Sequence, residues 1–237
     1  MKTFADINVK PPIREYPIQE QMAKMAGQIG LRVVGLRFPS GIASSEIESS
    51  KEIFRSRGLD VAVGIDIFPN NRKQLLTQLG ALRNKFEVVR VICADTRIAE
   101  VASRDNRVDL ISLEPQKSFR GRLSALGNCK SALELEISRL IAPSLKARSE
   151  SLKALCEEII LAERCNVDIV ISSGATNAVT LRAPRDMASV FTFLGMPKDV
   201  SLKAVSNTPL EIIKANRDRL SRKSAGSGVR LVRLKPQ

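Results

Sequence analysis

The amino-acid sequence predicts an α/β protein, a TIM-barrel-like (β/α) barrel of seven or eight parallel strands. Short apolar runs rich in Val and Ile alternate with amphipathic segments along most of the 237 residues. Aromatic residues make up only 4% and Trp is absent, so the core rests on the aliphatic residues that fill buried parallel strands. An open doubly wound sheet fits the same alternation, but the chain length and the strand count favour the barrel.

Eight strand candidates follow one another along the chain. Each is a short apolar run with many β-branched residues, bounded by polar or turn-forming residues. The candidates are residues 4–8, 31–36, 60–68, 87–93, 108–114, 132–138, 168–172 and 202–206.

Helices are predicted in most of the intervals between these strands. The sequence Pro69-Asn70-Asn71 ends the third strand and can cap the helix that follows. The longest helix is expected over residues 144–165, which carry apolar residues at helical spacing. Another begins at Pro184, and the last begins after residues 207–209.

The charge is strongly basic and unevenly placed. Thirty-eight Lys and Arg oppose 25 Asp and Glu, a net charge of +13, which indicates a polyanionic partner, nucleic acid first. Residues 203–237 hold nine basic residues and two acidic ones. We expect one barrel domain over residues 1–222 and a flexible basic extension over residues 223–237.

Several classes of function and location are disfavoured by composition. Histidine is absent, which removes Ser-His-Asp triads, Cys-His pairs and His-based metal sites. The four cysteines form no Cys-x-x-Cys pair, so a zinc ribbon is not expected. The sequence has no apolar signal segment and no apolar run near the roughly 20 residues of a membrane span. A reducing cytoplasm, without a membrane partner, is the expected location.

Carboxylates stand at the predicted ends of five strands: Asp6, Asp66, Asp95, Glu114 and Glu136. In a barrel these ends meet at one mouth, where an acidic ring could hold Mg²⁺ and serve a metal-dependent phosphoesterase. Alternatively, the carboxylates pair with arginines, for which Arg37, Arg97 and Arg182 are the candidates.

Asp6-Ile7-Asn8 bears on this choice. Barrel phosphoesterases of the polymerase-and-histidinol-phosphatase type have His at the second of these positions, and an amide is a weaker ligand than imidazole. We therefore expect neither catalytic nor metal-binding residues, and no cofactor bound by this chain. A second alternative enzyme is a Schiff-base lyase, for which Lys203 is the nearest candidate lysine.

A phosphate site is predicted around residues 172–186. Ser173 follows a strand, and Arg182 and Arg185 flank Pro184 at a helix start. Free backbone N–H groups and guanidinium groups together suit a phosphate.

Further basic and polar residues complete the candidate RNA-binding set. They are Arg72, Lys73, Arg90, Arg97, Arg107, Lys203 and Asn207. No aromatic residue is interleaved with them, which argues against base stacking and for recognition of the backbone and shape of folded RNA.

Five sequence blocks, in order and spacing, resemble the ribonuclease P protein component 3 family. The blocks lie within residues 60–220, and the first 50 residues match less clearly. They are Arg-Val-Asp-Leu-Ile-Ser (107–112), Leu-Glu-Leu-Glu-Ile-Ser (133–138), Val-Ile-Ser-Ser-Gly-Ala (170–175) with Leu-Arg-Ala-Pro-Arg-Asp (181–186), Ala-Val-Ser-Asn-Thr-Pro (204–209) and Asn-Arg (216–217).

The resemblance implies a barrel similar to the polymerase-and-histidinol-phosphatase type that lacks its metal site. It implies a subunit of the ribonuclease P holoenzyme, in which a catalytic RNA removes 5′ leaders from precursor tRNA with Mg²⁺ while the isolated chain is inactive. The implied partners are ribonuclease P RNA, precursor tRNA, ribonuclease P protein component 2 and other protein subunits. Of the candidate residues, the block with Arg182 and Arg185 matches the family directly.

Overall fold

The structure is a computed structural model that describes residues 2–113, 119–141, 144–221, 224–226 and 229–230. Seven strands and the helices between them build the barrel. In chain order these elements are β1 (Ala5–Val9), α1 (Tyr16–Gln28), β2 (Val33–Phe38), α2 (Ser44–Ser56), β3 (Asp60–Ile67), α3 (Arg72–Leu82), β4 (Val88–Cys93), α4 (Thr96–Arg104), β5 (Leu110–Leu113), α5 (Phe119–Leu126), β6 (Ala132–Glu136), α6 (Leu145–Cys165), β7 (Ile169–Ser172), α7 (Pro184–Phe193), α8 (Lys198–Ala204) and α9 (Asn207–Leu220).

Short 3₁₀ helices follow β6 (Ile137–Leu140) and β7 (Ala178–Thr180). Most of the predicted basic extension, 223–237, lies outside the described residues. Within it, the backbone of β8 (Ser224–Gly226) pairs antiparallel with β9 (Val229–Arg230). No helix of the described ranges is long and apolar enough to cross a membrane.

The seven long strands form one parallel sheet in the order β1 to β7, which confirms the predicted barrel class. Nearly every strand residue is buried, because helices cover the outside and the inner faces pack on one another. The inner apolar layer is completed by Ile213 of α9, which crosses the end where the strands begin. The inner-layer strand residues are Ala5, Ile7, Val33, Ala62, Val88, Leu110, Ala132 and Val170.

The predicted eighth strand, 202–206, is wrong. Most of this segment lies in α8, where Ser201 and Ala204 are buried one turn apart. A short apolar run of this kind fits either a strand or one helical turn. The segment nevertheless helps to close the barrel, because the Val205 carbonyl accepts a hydrogen bond from the Ala5 N–H at 3.0 Å.

Local capping signals position several helices as the sequence predicts. Asn71 begins α3 by accepting a hydrogen bond from the Gln74 N–H at 2.9 Å, and Pro184 is the first residue of α7. The predicted long helix starts after Ser144, whose side chain accepts from the Ala147 N–H at 3.2 Å.

A buried charge cluster and two unlike ends of the barrel

Six charged side chains fill the interior of the barrel toward the ends of its strands. We call them the charge cluster. Three are cations and three are carboxylates: Lys10, Arg37, Arg90, Asp66, Glu134 and Glu136.

Arg37 joins three strands. Its Nη1 lies 2.5 Å from Asp66 Oδ1, its Nη2 lies 3.4 Å from Glu134 Oε1, and its Nε donates to the carbonyl of Ile7 at 2.9 Å. Gly64 makes room for this side chain, because a Cβ there would lie 2.7 Å from Arg37 Cδ. The missing side chain of Gly64 is therefore what allows a guanidinium inside the barrel.

Arg90 contacts all three carboxylates. Its Nε lies 2.8 Å from Glu134 Oε2, and its Nη1 lies 3.2 Å from Glu136 and 3.6 Å from Asp66. Burial alone would lower the pKa of Arg90, but these carboxylates outweigh it and raise the pKa. Arg90 was predicted to bind RNA. That prediction is wrong, because the side chain is only 7% exposed and is committed to these ion pairs.

Glu136 is the most strongly hydrogen-bonded carboxylate of the cluster. Lys10 Nζ lies 3.3 Å away, Asn8 Nδ2 donates at 3.0 Å, and the Ser138 hydroxyl donates as well. Burial would raise the pKa of Glu136, but Arg90 and Lys10 outweigh it and hold the pKa at about 2. The side chain packs over Gly174, where a Cβ would overlap it.

Asp6 lies at the seam between β1 and β7, where Val9 of β1 forms a bridge with Ala175, three residues beyond the end of β7. Its carboxylate accepts hydrogen bonds from the backbone N–H groups of Asn8 at 3.1 Å and Ser173 at 3.2 Å. Burial raises the pKa of Asp6 above its ordinary value. Asp6 therefore supplies the acceptor that a neighbouring strand would supply elsewhere in the sheet.

The predicted acidic ring does not form as a set of free ligands. Asp66 and Glu136 are paired with cations, Asp95 caps α4 by accepting from the Ile98 N–H at 2.8 Å, and Glu114 lies outside the described residues. Asn8 donates to a carboxylate, which is the opposite of a ligand's role. Within the described ranges, no three His, Cys, Asp or Glu residues are grouped so that they could hold a metal ion.

The predicted arginine partners are correct in part. Arg37 does pair with Asp66, and Arg97 lies 3.6 Å from Asp95 although its side chain is 89% exposed. Arg182 instead donates to two carbonyls, of Val179 at 2.6 Å and Leu181 at 2.8 Å.

Glu134 and Lys10 were missed by the sequence prediction. The alternation Leu-Glu-Leu-Glu could have revealed Glu134, since residues two apart in a strand face the same side.

Two further candidate roles need correction. Ser173 is fully buried, and its hydroxyl accepts from the Ala175 N–H at 3.1 Å, so it is not available to a phosphate at the surface. Lys203 lies on α8 and its Nζ is 3.1 Å from Asp168 Oδ1, with about half of the side chain exposed. It therefore lacks the apolar strand-end environment that a Schiff-base lysine needs, so Lys203 does not support the lyase alternative.

The remaining candidate RNA-binding residues do not form one surface. Arg72, Lys73 and Arg97 begin helices that follow strands, so they lie at the end of the barrel where strands finish. Arg107 precedes β5, Lys203 pairs with Asp168 just before β7, and Asn207 begins α9, so these three belong to the opposite end.

Arg182 and Arg185 lie next to the start of α7. The Arg182 guanidinium already donates to the carbonyls of Val179 and Leu181. The Arg185 guanidinium lies 5.4 Å from the centroid of the Phe4 ring. Arg185 itself is exposed. A phosphate site at this helix start stays a prediction.

Helix α9 is held across the end where the strands begin by a second set of ion pairs. Arg217 Nη1 lies 2.8 Å from Asp60 Oδ2, and its Nε lies 2.5 Å from Glu87 Oε1. Arg83 Nη1 lies 2.5 Å from Asp109 Oδ2, and Asn216 Nδ2 donates to the same carboxylate at 2.8 Å.

Comparison with known proteins gives one consistent result. A family model described as RNase P subunit p30 matches residues 3–221. Ribonuclease P protein component 3 of Methanococcoides burtonii is 27% identical over 220 residues, 91% of this chain and 89% of the relative. The same component of Methanosarcina barkeri is 26% identical over 207 residues, 84% of this chain and 83% of the relative.

Solved structures confirm the fold. A chain of the cryo-EM structure of archaeal ribonuclease P with mature tRNA superposes with a TM-score of 0.79 at 20% identity, covering 98% of this chain and 100% of that chain. A variant of an organophosphorus hydrolase from Deinococcus radiodurans shares the barrel at a TM-score of 0.53 and 10% identity, over 90% of this chain and 92% of that one.

Proposed function

Because the chain belongs to the RNase P subunit p30 family, we propose that it is a protein subunit of ribonuclease P, the endoribonuclease that removes 5′ leaders from precursor tRNA. The observation that carries the proposal is the family match over residues 3–221. Its relatives named ribonuclease P protein component 3 align over most of their own length, 89% and 83% in the two above. The whole barrel, and not one motif within it, supports this assignment.

In this proposal the chain binds RNA and proteins and is inactive alone. A phosphoesterase of this shape would need free carboxylates or imidazoles at the barrel mouth. Here the three carboxylates of the charge cluster face three cations, Asp6 accepts from two backbone N–H groups, and the sequence contains no His. Mg²⁺ serves the reaction of the catalytic RNA and is not held by this chain.

The proposed partners are ribonuclease P RNA, precursor tRNA within the holoenzyme, ribonuclease P protein component 2 and the other protein subunits. The net charge of +13 supports the RNA partners. The proposed location is the cytoplasm, where the four free cysteines would stay reduced.

A pull-down of the tagged chain from its own cells, followed by RNA sequencing, tests the proposal. We expect enrichment of ribonuclease P RNA and precursor tRNA. A reconstituted holoenzyme with and without this chain then measures its contribution to leader cleavage. Recovery without ribonuclease P RNA, together with full cleavage when the chain is omitted, would contradict the assignment.

A further inference from the structure

At the end of the barrel where the strands begin, five successive loops each carry an exposed or half-exposed cation. These loops join α1 to β2, α2 to β3, α3 to β4, α4 to β5 and α5 to β6. The cations are Arg32, Arg57, Lys85, Arg107 and Lys130. Because neighbouring strands lie about 4.8 Å apart, these loops follow one another along an arc, and their cations line this end of the barrel.

Five carboxylates of this end are paired with cations, and of these cations only Arg107 belongs to the arc. Asp60 and Glu87 pair with Arg217, and the buried Arg83 pairs with Asp109. Asp105 pairs with Arg107 at 2.7 Å, and Asp168 pairs with Lys203 at 3.1 Å. The hydrogen bond from Arg217, with its charge, lowers the pKa of Asp60, so this carboxylate is ionised and its charge is matched by Arg217.

Four exposed cations of the arc and one of α9 have no ion-pair partner among the residues that the structure describes. We call them the basal set: Arg32, Arg57, Lys85, Lys130 and, on α9, Lys214. The acidic residues of α9 are Glu211 and Asp218. In the sequence, residues 221–237 contain Arg222, Lys223, Arg230, Arg233 and Lys235 and no acidic residue.

The two ends of the barrel differ in chemistry. At the basal end, the nearby aromatic side chains Phe4 and Phe86 are buried. At the opposite end, Phe68 is 61% exposed and Leu145 is 79% exposed. The five loops themselves carry no exposed aromatic ring, whereas Phe193 at the end of α7 is 89% exposed. The cations of these loops therefore suit phosphates and not stacked bases.

We propose that the basal set binds the phosphate backbone of folded RNA. This inference rests on the proposed function, which supplies an RNA partner, and adds the face of the barrel that meets it. Each contact neutralises one phosphate and releases counterions, so binding is salt-dependent and tolerant of sequence.

A purely structural role for the same cations makes a different prediction. Helices α1, α2, α3 and α5 end just before these loops, and a cation near a helix C-terminus offsets the negative end of the macrodipole. If that were the whole role, removing the cations would lower the melting temperature and leave RNA affinity unchanged.

The experiment compares two variants that lose the same charge. The basal variant carries Arg57→Gln, Lys85→Gln, Lys130→Gln and Lys214→Gln. The control carries Lys24→Gln, Lys146→Gln, Arg148→Gln and Lys153→Gln, which are exposed residues of α1 and α6 that belong neither to the basal set nor to the candidate RNA-binding residues. Affinity of the full-length chain for an RNA hairpin of about 16 base pairs is measured across a salt series, beside thermal melting.

We expect the basal variant to lose at least about tenfold in affinity at low salt, with a log–log salt slope shallower by about 3, since each phosphate contributes roughly 0.7 to 0.9. The control should keep most of the wild-type slope. Equal losses in both variants would show that only net charge matters, and a larger loss in the control would place the RNA at the control residues. Either result, or unchanged affinity with a lower melting temperature, overturns the inference.

The hairpin assay and the pull-down test the two proposals independently, so that one proposal can be contradicted while the other stands. If the chain recovers ribonuclease P RNA while the basal variant binds the hairpin as the wild type does, the basal inference is wrong and the proposed function stands. If the chain recovers no ribonuclease P RNA and the holoenzyme cleaves fully without it, the proposed function is wrong, whichever variant loses affinity for the hairpin.

Discussion

Replacing Arg90 by Leu tests whether the charge cluster holds the barrel together. The guanidinium lies within 3.6 Å of three carboxylates, and the side chain is 7% exposed. Without it, the one remaining cation near Glu134 among the described residues is Arg37, at 3.4 Å, and the one near Glu136 is Lys10. Removing one partner from a buried ion pair costs about 3–5 kcal/mol, because a charge stays buried and uncompensated. For a chain of this size that corresponds to a fall of about 10 °C in Tm.

The same substitution has a signature in pH. Arg90 and Lys10 hold the pKa of Glu136 at about 2 in the folded protein, below its ordinary 4.5. A lowered pKa contributes stability above the ordinary value, and this contribution disappears as the pH falls from about 4.5 to about 2. At pH 7, Arg90→Leu removes most of the stability that the lowered pKa of Glu136 contributes. The difference in stability between wild type and variant should therefore narrow on acidification.

Urea unfolding followed by circular dichroism, at pH 7 and at several values down to about pH 3, measures both effects. Arg97→Leu is the matched control, because that side chain is 89% exposed and should change stability by no more than about 0.5 kcal/mol. A loss below about 1 kcal/mol for Arg90→Leu, or a difference that does not vary with pH, would refute the reasoning.

Four further results are expected. Gly64→Ala should cost about 1–3 kcal/mol in thermal or urea unfolding, because its Cβ meets Arg37, and an unchanged Tm would contradict the packing. Ile213→Ala should cost about 2–5 kcal/mol in the same measurement, because this residue closes the inner apolar layer; a loss below about 1 kcal/mol would count against that role. The double variant Arg182→Ala, Arg185→Ala should lower RNA affinity or holoenzyme assembly with little change in Tm, whereas a large stability loss with binding intact would end the phosphate-site prediction. The purified chain should show no nuclease or phosphatase activity, and metal-dependent turnover that disappears in Asp6→Ala would contradict this.

The strands could be predicted because a strand that is buried on both faces has a sequence rich in β-branched and apolar residues. Residues 60–67 and 88–93 are rich in β-branched and apolar residues, and the structure places strands there within one residue of the prediction. The segment around Val205 could not be assigned in the same way. Its role in closing the barrel depends on one backbone carbonyl that accepts from Ala5, and a backbone contact between distant segments has no side-chain signature.

The candidate site was predictable only in part, because the identity of a charged residue does not by itself show whether its side chain points into the barrel or outward. Arg90 stands two residues after Val88, which lines the inner layer, so the alternation itself placed Arg90 inside. The ion-pair partners of Arg90 could be identified only from the register of β3, β4 and β6 in the structure. Loops have no such alternation of faces. The sequence therefore shows the cations of the basal end only as an excess of positive charge, and the parallel topology of the sheet is needed to show that their loops are neighbours.

The charge cluster also constrains where this barrel can function. Three cations matched to three carboxylates, with Gly64 and Gly174 leaving space for two of these side chains, fill the mouth with interactions that satisfy one another. A ligand entering there would have to replace buried ion pairs, at a cost of several kcal/mol for each charge left uncompensated. The outer surfaces carry no such penalty, and the uncompensated charge of the described barrel lies there. The filled mouth therefore supports the proposal that this chain binds its partners through the outer surface of the barrel.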